Sequence, residues 1–114
     1  MPYVCVSTSQ HISAEKAEKI QKEIGRIVAV IPGKNIDNCM TQIIGDCPTF
    51  MSGKASNSTF CEIRMLGKAP AEAKKEFAAG LNELLSAELE GLDKLYINFQ
   101  EYTEWAVGSN YIEV

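Results

Sequence analysis

Residues 95–100 read Leu-Tyr-Ile-Asn-Phe-Gln. The alternation places Leu95, Ile97 and Phe99 on one face of a strand and Tyr96, Asn98 and Gln100 on the other. One face is apolar and the other can hydrogen-bond, so the strand belongs to a sheet covered on one side only. The same two-sidedness appears upstream in 58–66 (S-T-F-C-E-I-R-M-L), where Thr59, Cys61, Ile63 and Met65 oppose Phe60, Glu62, Arg64 and Leu66. Between these strands, Pro70 opens a helix at a first-turn position. Its apolar stripe is Ala73, Phe77, Leu81, Leu84, Leu85 and Leu89, and Gly91 closes it.

The N-terminal half repeats this order. Tyr3–Thr8 (Y-V-C-V-S-T) reads as a strand that Pro2 can begin without losing a ladder bond. Ser13 is an N-cap for a helix presenting Ala17, Ile20, Ile24, Ile27, Val28 and Ile31, stopped by Pro32-Gly33. A strand through Cys39–Ile44 follows, then a loop or short hairpin over 47–57. The predicted fold is α+β: a tandem β-α-β repeat forming a four-stranded mixed sheet with two helices on one face. Gln42, Glu62, Arg64, Tyr96, Asn98 and Gln100 are left on the uncovered face, and 105–114 forms a short extended tail suited to bridging to a neighbour.

With 114 residues, 46% of them hydrophobic, the chain suits one domain spanning 1–114 with one core. Its net charge of −4 is spread along the sequence, which speaks against nucleic acid as a partner. There is no apolar run of bilayer length and no signal-peptide pattern, so the expected location is cytoplasmic, with non-classical secretion the alternative. Cys5, Cys39, Cys47 and Cys61 form no C-x-x-C pair, and His11 is the sole histidine. Buried free thiols are expected, and neither a metal site nor a cofactor.

Several short motifs occur in a specific order: Met1-Pro2 before the first strand, Gly33-Lys34 after the first helix, Phe50 in the mid-chain loop and Leu66-Gly67-Lys68 at the end of the third strand. Tyr96-Ile97-Asn98-Phe99 and Ala106-Val107-Gly108 with Asn110 complete the series. Together they resemble the tautomerase superfamily, in its macrophage migration inhibitory factor-like branch, over nearly the whole chain. The resemblance implies a homotrimer whose C-terminal segments add strands to neighbouring sheets. It also implies cofactor-independent keto-enol tautomerisation of a small, phenylpyruvate-like 2-oxo acid.

In that reading Pro2 is the general base. Its nitrogen is an amide while Met1 is present and a secondary amine once Met1 is removed, and an apolar surrounding lowers the amine's pKa. The structural alternative is that Pro2 merely starts a strand. By the same resemblance Lys34 and the Leu66 N–H hold the substrate carboxylate, Tyr96 and Asn98 come from an adjacent subunit, and Val107 is an apolar wall. Lys34 would otherwise be a cation at a helix C-terminus, Tyr96 and Asn98 a solvated sheet face, and Val107 ordinary packing. Ser109 and Val114 replace family aromatics, and Ser58 leaves Cys61 without a C-x-x-C partner, so thiol oxidoreductase activity is not expected. Two non-catalytic readings compete: a trimeric, cytokine-like or partner-binding protein, and a ligand-binding module of ferredoxin-like topology.

Overall fold

A computed structural model describes residues 1–114. Strand β1 (Pro2–Thr8) leads into helix α1 (Ala14–Ile27) and strand β2 (Met40–Ile44). Two short strands, β3 (Phe50–Met51) and β4 (Lys54–Ala55), form the mid-chain hairpin. Strand β5 (Ser58–Leu66), helix α2 (Ala71–Glu88) and strand β6 (Lys94–Tyr102) complete the second β-α-β unit, and β7 (Glu104–Val107) and β8 (Asn110–Glu113) close the chain.

The main sheet has the order β2-β1-β5-β6. Within each unit the strands are parallel, β1 with β2 and β5 with β6; the units meet through the antiparallel β1–β5 pair. Both helices lie on one face, as predicted. Ile20, Ile24 and Val28 from the first helical segment and Phe77, Leu81 and Leu85 from the second are fully buried against Val4, Val6, Cys61, Ile63 and Met65. Burying each of these side chains contributes about 1.5–3 kcal/mol, which explains why the two apolar stripes fix the layer arrangement.

Several boundaries differ from the sequence reading, each for a local reason. Pro70 is the residue before α2, with φ −60° and ψ 144°, not a first-turn residue. The second helix ends at Glu88, where the Leu89 N–H donates to Leu85 O; Gly91, at φ +65°, turns the chain afterwards. Strand β2 starts at Met40 because Cys39 still closes a short 3-10 turn, Ile36–Asn38, whose first residue is preceded by a capping Asn35. That turn packs so closely on α1 that a Cβ on Gly25 would lie 2.6 Å from Ile36 Cγ1. All four cysteines are free, but only Cys5 and Cys61 are buried; Cys39 and Cys47 are half-buried.

Candidate active site

The register of the central pair brings Pro2 and Leu66, with Lys34 beside them, to one end of the sheet. Pro2 is buried and lies opposite Met65, while β2 begins its pairing only at Tyr3. On the β2 side, therefore, the missing proline N–H breaks no ladder bond. One residue further along β5, Leu66 O accepts a 3.0 Å hydrogen bond from Lys34 Nζ. Lys34 reaches it from the turn after the first helix, where its own N–H donates to Ile31 O and Gly33 adopts φ +78°. The Lys34 ammonium thus caps the end of a strand rather than the end of a helix.

The Met1 ammonium shares this environment. Burial is the main reason its pKa falls to about 6; a hydrogen bond and charge repulsion from Lys34 push the same way. A neutral amine is therefore favoured at this end of the sheet near pH 7. Cys39 lies close enough to interact with the terminus, and its own thiol is pushed up chiefly by burial.

Two cavities adjoin this end. The larger, about 840 Å³, is lined by Met1, Pro2 and Tyr3, by Asp37, Asn38, Met40 and Arg64, and by Tyr102 and 104–108 of the C-terminal hairpin. The smaller, about 110 Å³, is lined by Lys34, Met65, Leu66, Gly67 and Lys68 among others. Pro2 and Val107 thus share one cavity, and Lys34 and Leu66 the other.

Tyr96 and Asn98 join neither. Pro2, Met65 and Glu101 form one row across three strands, and Asn98 and Tyr96 lie three and five residues back along β6. At about 3.3 Å per residue they are roughly 10 and 17 Å from that row along the strand. They also point to the open face, where Tyr96 is 49% exposed and packs edge-on against Phe60. A single chain does not bring them to Pro2.

Sequence reasoning missed Tyr3, Met40, Arg64 and Tyr102 as lining residues. Trp105 lines the larger cavity with its ring 6.3 Å from that of Tyr102. The alternation of β5 and β6 had already placed Arg64 on the open face; what it could not supply was the fold-back of the β7–β8 hairpin, whose residues 104–108 border the cavity.

The profile of the macrophage migration inhibitory factor (MIF) family matches residues 1–112. A comparison with curated proteins gave no match. Among solved structures, the chain is similar to Leishmania major MIF2 (TM-score 0.88, 16% identity, covering 98% of this chain and 97% of that one). It is also similar to the MIF-like protein of Entamoeba histolytica (TM-score 0.83, 22% identity, 97% and 98% covered). A third similar structure is Pt0534 inactivated by 2-oxo-3-pentynoate (TM-score 0.74, 14% identity, 97% and 94% covered). With a family match over almost its whole length and the fold of these relatives, the chain belongs to the macrophage migration inhibitory factor family.

Proposed function

We propose that residues 1–114 form one domain of a homotrimeric, cofactor-independent tautomerase of a 2-oxo acid, with the Pro2 nitrogen as general base once Met1 is removed. The observation that carries this reading is the surrounding of Pro2: it is buried opposite Met65, one residue from the Lys34–Leu66 contact, and burial and Lys34 lower the neighbouring Met1 ammonium to a pKa of about 6, below the ordinary α-amino value. A base tuned near working pH is partly unprotonated and can still accept a proton. The name of one fold relative, which is inactivated by 2-oxo-3-pentynoate, points to the same substrate class.

In the reaction, the Pro2 nitrogen removes a proton from C3 of the acid. The C3–H electrons form the C2=C3 double bond, and the carbonyl oxygen takes the negative charge. Water or the protonated proline then delivers a proton to that oxygen, giving the enol. The Lys34 ammonium uses one of its three donors on Leu66 O and retains two for the substrate carboxylate. The N–H and C=O of one strand residue point to the same side, so the Leu66 N–H is directed with its carbonyl toward Lys34. Val107 supplies apolar wall.

The trimer answers what one chain lacks. Tyr96 and Asn98 stand too far from Pro2 in their own chain, so they serve the site of an adjacent copy. The β7–β8 hairpin, a two-stranded sheet of its own with Val107 and Tyr111 more than half exposed, gains strand partners from a neighbour. No helix is long and apolar enough to cross a membrane, and we place the protein in the cytoplasm.

Replacing Pro2 by Gly in Met1-free protein is expected to lower phenylpyruvate tautomerisation by about 10²–10⁴-fold, the usual contribution of a general base. Undiminished turnover would refute the assignment. A monomer by light scattering would refute the shared site, and no turnover by a Met1-free trimer would favour the partner-binding reading.

A further inference from the structure

Register places a cation on each side of Pro2. Pro2 faces Met65; the next residue, Leu66, anchors the Lys34 ammonium, and the preceding residue is Arg64. Arg64 and Leu66 are about 7 Å apart along the strand. Arg64 lines the same 840 Å³ cavity as Pro2, together with Tyr102 and Trp105. Nothing in the reaction proposed above uses Arg64.

Its donors are also uncommitted. The guanidinium lies 5.7 Å from the centroid of the Tyr3 ring, which orients its plane without consuming an N–H. Its ion-pair contact, Glu62, is 3.9 Å away, too long for a hydrogen bond, and both side chains are open to solvent. Of the other acids on the cavity, Glu104 accepts a 2.7 Å hydrogen bond from the Tyr111 hydroxyl, and Asp37 belongs to the Ile36–Asn38 turn. A planar fork of five N–H donors beside aromatic rings suits a carboxylate carried on an apolar or aromatic body.

We propose that Arg64 binds a second carboxylate at the distal end of the substrate, making the preferred substrates 2-oxo dicarboxylic acids. The inference rests on the Pro2 reading and adds to it the identity of the distal group. Lys34 and the Leu66 N–H hold the 2-oxo acid end, Pro2 acts at C3, the body packs toward Tyr102 and Trp105, and Arg64 takes the far carboxylate.

The test compares phenylpyruvate with 4-carboxyphenylpyruvate, by calorimetric binding and by turnover, in Met1-free protein and its Arg64→Gln and Arg64→Lys variants. The wild type should favour the dicarboxylate by about 10- to 100-fold, the range of a charge-assisted hydrogen bond. Arg64→Gln should bring that ratio close to one, and Arg64→Lys should restore part of it. Equal binding of the two acids by the wild type, or a preference that survives in Arg64→Gln, would overturn the proposal. Binding preference that depends on Arg64 without turnover of either acid would uphold the Arg64 site and refute the tautomerase reading. Turnover that depends on Pro2 with no preference would do the reverse.

Discussion

On the helix-covered side of the sheet, Val4, Val6, Cys61, Ile63 and Met65 are fully buried, whereas on the other side Phe60, Arg64 and Tyr96 stay open to solvent and Tyr3 is half-buried. The same strands supply both sets, residue by residue. The covered side satisfies itself within one chain, through apolar contact with two helices. The open side is organised by polar and aromatic pairs instead: Tyr3 with Gln42, Arg64 over Tyr3, Phe60 against Tyr96. The difference separates what holds the fold from what is left open, and Pro2 is buried at the end of the sheet, on the lining of the larger cavity.

The sharpest way to break this division is to truncate one large side chain on each side. Phe77→Ala removes a buried ring that packs 6.5 Å from Phe99 and is expected to cost about 3–5 kcal/mol. Tyr96→Ala should cost well under 1 kcal/mol of chain stability, as exposed positions do, while lowering turnover if it serves a neighbour's site. Thermal unfolding and kcat/KM measured on both variants decide this. Equal destabilisation would mean that the open side is structural.

A smaller effect belongs to the edge of the covered side. Glu101 accepts hydrogen bonds from the Ala69 N–H at 2.6 Å and Lys74 Nζ at 2.9 Å, and these hold its carboxyl below the usual range. Its folded pKa lies below its unfolded one, so its contribution to stability is complete above about pH 4.3 and lost as pH falls through the folded value. Glu101→Gln should cost about 1 kcal/mol at neutral pH and make unfolding less steeply acid-dependent. An unchanged acid slope would remove Glu101 from the account.

Much of the fold was legible because it is written in periodicity. Thr59, Cys61, Ile63 and Met65 alternate with period two, and Phe77, Leu81, Leu85 and Leu89 recur every four residues, so the sheet, its covered side and the helix stripes followed directly. Cap positions were less legible: Pro70 and Gly91 mark a boundary without saying on which side of it they stand. The site was half legible. Pro2, Lys34 and Leu66 were named through the family resemblance, and strand register explains why they gather at one end. Tyr102 and Trp105 were not found, since their place depends on how β7–β8 folds back, a long-range event that no local pattern encodes. Tyr96 and Asn98 were named, but a single chain leaves them remote from Pro2.

The most direct test of the account is the titration of the Pro2 nitrogen in Met1-free protein, followed by ¹⁵N NMR beside the pH dependence of kcat/KM. A base must be unprotonated to act, so activity should fall as pH drops through the Pro2 pKa. The account predicts a Pro2 pKa below the ordinary α-amino value of about 8, coincident with the acid limb of kcat/KM. A Pro2 nitrogen that titrates well above the acid limb, or full activity in protein that retains Met1, would contradict it.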